Sequence, residues 1–459
     1  MKFSEMPYKR VDMEDVEKKF RDIMERAKKA SSGEELFEIH REYYRLTGDV
    51  ETNATLANIR HDVDTTDEFY EKEQAFYDEA MPVLQNYRNE YMKILYESPY
   101  RPYMETKIGK VAFKNIEISL KSFDEKLIPL MQEENALVSR YNKITATAEI
   151  PFEGEIYNLS LMRKFQTVTD ELDEIYDKLV KNRTEQARQM GYENYVELGY
   201  YRMNRNCYDK DMVANFREQV KTYFVPFVNQ LHERRRERIG VEKLSYIDHE
   251  VYFTDGNPAP TGTPEEILRA GQKMYSELSP ETKEFFDFMQ ENELFDVLGR
   301  KTKKQGGYMT YLPNYKSPFI FANFNGTSGD VDVITHECGH AFQGYLTMHL
   351  EDSSAFVPYG CMVDEFQHIV YENPDMTPAE RKQAWLELEK VYRPHMDYED
   401  DPFYGKGGFW QKQLHIFNYP FYYIDYVIAS VCAMQFKVMM DEDYKTAWNN
   451  YYKLCKISA

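Results

Sequence analysis

The sequence predicts a mainly α-helical protein with a small β element, and three observations carry that reading. From Glu14 to about Leu161, apolar residues recur at three- and four-residue spacing inside charged faces, as at Phe20, Ile23 and Met24. Two more long helical stretches, about 167 to 190 and 209 to 239, end at Gly191 and Gly240, the residue type that best takes the left-handed conformation past a helix C-terminus. Extended alternation is confined to short runs.

Taken in order, the N-terminal helices are punctuated at Ser31-Ser32-Gly33, Gly48-Asp49 and Ser98-Pro99. Thr145, Thr147 and Ile150 alternate with small or polar residues before Pro151, which predicts a short hairpin or arm between Ile144 and Glu155. Asp255 to Gly262 is rich in Gly, Pro and Asn and marks a surface junction. Gly306–Pro313 and Pro318–Phe324 read as two short strands, the second flanked by Pro318 and Asn325-Gly326 and so placed at a sheet edge. Beyond Asp330 the pattern is helical again. The 459 residues exceed the size at which single cores stop growing, so two or three subdomains and a cleft are expected, divided as 1–165 and 166–459.

The charge excludes some partners. Lys and Arg total 57 against 78 Asp and Glu, a formal −21, which repels nucleic acid and anionic membrane. The basic cluster at Arg234, Arg235, Arg236 and Arg238 is interleaved with Glu233 and Glu237 and precedes Gly240, which reads as a helix C-terminus. Five scattered cysteines argue for a reducing compartment, and the charged N-terminal stretch is no secretory signal. No apolar run reaches the ~18 residues of a membrane span. These features together predict a soluble cytoplasmic protein.

The chemistry lies in His336-Glu337-Cys338-Gly339-His340. On a helix this H-E-x-x-H spacing sets two imidazoles one turn apart, about 6 Å along the axis, within reach of one zinc ion. Chance would supply the pattern in about 2 of 100 chains of this composition. Catalytic zinc takes three protein ligands and keeps a fourth position for water. Glu365, 29 residues past His336 on an apparent helix, is the candidate third ligand, with Asp364 turned about 100° away and Glu372 suited to orienting a ligand imidazole. Glu337 sits beside the metal without binding it, where it can take a proton from zinc-bound water and return it to a leaving amine. Two other readings share these residues. Glu337-x-x-His340 and Glu365-x-x-His368 are also the paired motifs of di-iron or di-manganese helical bundles, and a catalytically silent scaffold would hold a closed structural metal.

With those residues in hand, the chain resembles the thimet oligopeptidase family of zinc metallopeptidases, nearest its oligoendopeptidase F branch. The resemblance is carried by Phe319 to Asp330 running into Thr335-His336-Glu337, and by Pro420 to Tyr426. It spans most of the chain and is sharp from about Gly306 to Phe436. It implies a two-lobed zincin-like metallopeptidase whose deep central channel admits unstructured oligopeptides, with the small β element near the active site. It implies one zinc per chain on His336, His340 and Glu365, with Glu337 as general base. The strand at Phe321, Ala322 and Asn323 resembles the family's substrate-aligning edge, where an extended peptide adds as a strand. His415, Tyr423 and Tyr426 match the family's oxyanion-stabilising residues, and Tyr419 its substrate-binding position; spacing alone would read these aromatics as core. Pro420 is expected to open the helix that follows His415. Family members continue past Ala459, so the resemblance also implies a catalytic region truncated at its C-terminal end.

Overall fold

The computed structural model describes all residues except 158, 160–163, 258, 261, 305, 327–329, 331–345 and 458–459. His336, Glu337 and His340 therefore lie outside the described residues. The chain divides into two compact units, each built from two separate stretches. The first comprises Met1–Cys207 with Pro258–Phe342, the second Tyr208–Asn257 with Gln343–Ala459. The expected boundary at 165 falls inside the first unit.

The first unit opens on helices α1 (Met13–Lys29), α2 (Gly33–Val63) and α3 (Glu68–Glu97). Their starts follow from side-chain caps: Asp12, Ser32 and Asp67 each accept hydrogen bonds from backbone N–H groups of the first turn, which no intrahelical carbonyl can serve. Phe20, Ile23, Leu36, Ile39, Leu84 and Leu95 form one buried cluster across these helices, as their spacing requires. Helices α4 (Arg101–Ile108), α5 (Lys110–Ser122) and α6 (Ile128–Thr147) follow. The expected hairpin is present but starts later, as β1 (Ile150–Phe152) and β2 (Glu155–Tyr157) joined by Glu153 and Gly154. Both linking residues have positive φ, 49° and 88°, which gives the two-residue turn that matches strand twist. Thr145 and Thr147 belong to α6, where their hydroxyls donate back to carbonyls one turn earlier. Helices α7 (Thr169–Gln189) and α8 (Tyr195–Arg202) complete this stretch, and Gly191 has the expected left-handed φ of 88°.

After the two helices α9 (Lys210–Gln219) and α10 (Val225–Ile239) of the second unit, the chain returns to the first through α11 (Pro264–Leu278) and α12 (Pro280–Glu291). It then forms β3 (Phe295–Leu298), β4 (Tyr308–Leu312) and β5 (Ser317–Phe324), in the sheet order β3-β5-β4. This corrects the sequence reading, because β5 is the central strand and not an edge. It pairs in parallel with β3 from Ile320 onward and antiparallel with β4 from Ser317 to Phe321. Pro318, the residue that suggested an edge, lies opposite Tyr311 and before the reach of β3, where β5 has β4 as its single neighbour. Leu56 and Ile59 of α2 pack with Leu312, Phe319, Ile320 and Phe321 in one buried cluster.

The second unit contains α9 and α10 with a π-helical turn, Val220–Phe224, between them. The sequence reads 209–239 as one helix. Pro226 explains the interruption, since it lacks an N–H and its ring clashes with the carbonyl four residues back, at Thr222. The unit continues with α13 (Leu346–Glu372), α14 (Pro378–Tyr392), the short α15 (Leu414–Asn418), α16 (Tyr423–Glu442) and α17 (Tyr444–Ile457). Trp385, Trp410, Phe366 and Phe417 are buried among these elements. By length and composition α16 is long and apolar enough to cross a bilayer, unlike the sequence expectation that no run reaches that length. Its first turn carries the buried Tyr423, Ile424 and Val427, and Tyr208 donates to Asp425 there.

Three histidines gather in the second unit. The rings of His232 and His395 lie 3.5 Å apart between centroids, and His249 lies 6.5 Å from His395. Arg235 meets His232 Nδ1 at 3.0 Å and donates to the His249 carbonyl. Burial, reinforced by the charges of Arg235 and Arg393, pushes His232 down to about 3 and holds His249 and His395 well below the usual imidazole range. The folded rings stay neutral where unfolded ones, titrating near 6.5, take up protons. Their contribution to stability is thus complete above pH 6.5 and is lost as pH falls from 6.5 towards about 3, by about 1.4 kcal/mol per pH unit for each ring. The denaturation midpoint should fall steeply over that window with uptake of nearly three protons; a midpoint independent of pH would contradict the buried cluster.

Candidate active site

Glu365 projects from α13, its side chain 20% exposed, into a group of donors. The Tyr392 hydroxyl at the end of α14 donates to its Oε2 at 2.5 Å. Lys221 Nζ stands 2.9 Å from Oε1 and 2.8 Å from Oε2, and Arg217 Nε 3.6 Å from Oε2. The π turn matters here because it inserts its extra residue at the segment that carries Lys221. Sequence reasoning missed Lys221 and Tyr392, whose only local signals were Pro226 inside a helical pattern and an unassigned tyrosine.

Asp364, next to Glu365, points elsewhere as its 100° offset requires. It is fully buried and accepts from Arg217 Nη1 at 2.5 Å, with His368 Nε2 3.6 Å away. Glu372 lies 3.8 Å from His368 Nδ1. Arg217→Met would leave the Asp364 carboxylate buried without its cation, a change that costs about 3–5 kcal/mol. The expected result is a denaturation midpoint lowered accordingly and largely restored by adding Asp364→Leu; an unchanged midpoint in the single variant would remove the pair from the fold's supports.

His415, Tyr419, Tyr423 and Tyr426 come together on α15, the following turn and α16. The His415 ring lies 5.2 Å from that of Tyr423, 5.4 Å from Tyr426 and 6.3 Å from Tyr419. His415 Nε2 is 3.3 Å from the Tyr426 hydroxyl, and Nδ1 is 3.0 Å from Gln413 Nε2. Burial pushes His415 down to about 4, so the ring is neutral near pH 7. Tyr423 is buried, and that burial raises its phenol well above the ordinary range. Tyr419 is 53% exposed and is the member most open to a ligand. Pro420 does not open the helix. Phe421 follows it with φ 66°, anchored by its N–H to Gln367 Oε1 at 2.9 Å, and α16 begins at Tyr423. The left-handed Phe421 turns the chain between Tyr419 and Tyr423, so both can face His415 without sharing a helix.

The residues expected to align substrate are otherwise engaged. Phe321 and Asn323 lie within the central strand β5, and the Phe321 ring stacks on Tyr308 at 4.9 Å. The buried Lys303 ammonium donates to the Ala322 carbonyl, and Asn323 Nδ2 to the carbonyls of Lys304 and Gly306. Phe321 is paired on both sides, with Asp296 of β3 and Tyr308 of β4, whereas Ala322 and Asn323 lie past the last β4 pair; the sheet's outer strands are β3 and β4.

The di-iron reading finds no support in Glu365. Such a site needs further carboxylates beside it, whereas its described partners are two cations and a phenol.

Residues 3–123 match the Peptidase M3 N-terminal domain and residues 155–355 match Peptidase family M3, a stretch that includes the H-E-x-x-H segment. A structure of Pz peptidase A with an inhibitor is 44% identical, with a TM-score of 0.96 over 99% of this chain and 92% of that one. A protein described as an oligoendopeptidase F has the same identity, coverage and TM-score. Another protein described as an oligoendopeptidase F, from Bacillus anthracis str. Ames, is 39% identical, with a TM-score of 0.90 over 99% and 91% of the two chains. No curated protein matches.

Proposed function

Because this chain belongs to Peptidase family M3, in its oligoendopeptidase F branch, and is a metallo-oligopeptidase acting on peptides, we propose that it is a zinc endopeptidase that cuts internal bonds of short unstructured peptides, with one zinc per chain held by His336, His340 and Glu365. The observation that carries the ligand set is Glu365, whose two oxygens already engage one cation, the Lys221 ammonium, while Tyr392 fixes the carboxylate's orientation. Two imidazoles and a carboxylate are the donor chemistry of catalytic zinc. When bound, zinc polarises the scissile carbonyl and acidifies a water.

The remaining work falls to the chain's own groups. Glu337 takes the water's proton and hands it to the leaving amine, so no covalent intermediate is needed. The phenols of Tyr426 and Tyr423, with His415 between them, offer hydrogen-bond donors for the oxyanion that develops as the carbonyl is attacked. Tyr419, exposed beside them, is the proposed substrate contact. A cytoplasmic location is part of the same proposal and is supported by the free thiols Cys207, Cys361 and Cys432.

A graded series of quenched peptides, with chelator-treated and zinc-restored enzyme, tests the reading. Cleavage of short peptides only, abolished by chelation and restored by zinc, is expected. Cleavage of folded proteins, or turnover indifferent to chelation, would contradict it.

A further inference from the structure

A neutral imidazole has one nitrogen that donates and one that accepts, and its surroundings decide which is which. At His415 the deciding group is an amide. Gln413 Oε1 accepts from the Tyr359 hydroxyl at 2.9 Å, and its NH2 end lies toward His415 Nδ1 at 3.0 Å. An amide nitrogen cannot accept, so Nδ1 must. The ring hydrogen then sits on Nε2 and is directed at the Tyr426 oxygen 3.3 Å away.

We propose that Gln413, held by Tyr359, is a positioning residue that fixes the Nε2–H form of His415 and so turns the Tyr426 hydroxyl hydrogen away from the ring, toward the reacting carbonyl. The inference rests on the oxyanion role assigned above to Tyr426, with His415 acting through that phenol. With the amide reversed, Nδ1 would donate, Nε2 would accept the phenol's hydrogen, and that hydrogen would be spent inside the protein. The ring's neutrality, which comes from its burial, is what makes the choice of nitrogen matter near pH 7. Tyr359 is itself braced. Its ring lies under the Arg393 guanidinium at 5.2 Å and meets Trp385, Phe409 and Tyr423 edge-on. It sits on α13, the helix that also carries Glu365 six residues later. A line of side chains therefore runs from the metal-ligand helix through Gln413 and His415 to Tyr426.

The test is Gln413→Glu, which keeps the shape but places an acceptor against Nδ1. Nitrogen-15 spectra of histidine-labelled, zinc-loaded enzyme read the ring directly. The parent should show a bare Nδ1 and a protonated Nε2 at His415, and the variant a hydrogen on Nδ1. Its kcat should fall about 10–100-fold, as for other groups that orient an active-site side chain, with KM little changed and the thermal midpoint retained. Tyr359→Phe, which frees the amide without adding charge, should show a smaller kcat loss and a mixture of ring forms. A parent His415 protonated at Nδ1, or a Gln413→Glu enzyme with the parent's ring form or the parent's kcat, would overturn the proposal. Full kcat in Tyr426→Phe would overturn the oxyanion assignment beneath it, and because the ring measurement does not depend on turnover, the two failures are distinguishable.

Discussion

Glu337→Gln is expected to bind zinc as the parent does and to lose most peptide cleavage. The amide keeps the carboxylate's size and still touches the water, but it cannot accept a proton at neutral pH, so the step that makes the nucleophile and the step that protonates the leaving amine both lose their carrier. General acid–base catalysis by a positioned side chain is worth about 10²–10⁴-fold, and the loss should appear in kcat with KM little altered. Steady-state kinetics beside metal analysis checks both halves. A variant with full zinc and near-parent turnover would remove Glu337 as the base.

Glu365→Ala should have an effect of comparable size by a different route. Removing a neighbour that merely orients a metal ligand costs about 10–100-fold in metal affinity, so removing the ligand itself should cost more. The variant is expected to lose zinc on dialysis and to lose activity in step with it, while its helix content persists because α13 is packed through other residues, among them Val363, Phe366 and Val370, all buried. Competition with a chromogenic chelator gives the affinity. Unchanged affinity would send the search for the third ligand elsewhere on the chain.

Most of the architecture was legible because it is written in local patterns. Helix faces, the break at Ser31-Ser32-Gly33, and the C-terminal glycines Gly191 and Gly240 each depend on residues within a turn or two. What escaped depended on partners far along the chain. Strand β3 is four residues long, too short for its period to declare itself, and only its pairing with Ile320 and Phe321 makes it a strand. The same pairing turned β5 from the expected edge into the centre of the sheet. At the site, the H-E-x-x-H spacing and the distance to Glu365 could be read directly, and the family resemblance supplied His415 and the tyrosines. Lys221, 144 residues before Glu365, could not be read in the same way. Its approach depends on a π turn that Pro226 forces, and on a fold that brings the two helices together. Gln413 was invisible for another reason: its place between Tyr359 and His415 appears only once the fold brings α13 beside the segment before α15.

The central claim is a single metal ion held by two imidazoles and one distant carboxylate. Crystals of the purified, zinc-loaded protein, measured on both sides of the zinc absorption edge, test it most directly. The account predicts one anomalous peak per chain, bounded by His336, His340 and Glu365 and with its remaining position open to solvent. Two peaks, a peak closed by a fourth protein ligand, or none within reach of Glu365 would contradict it.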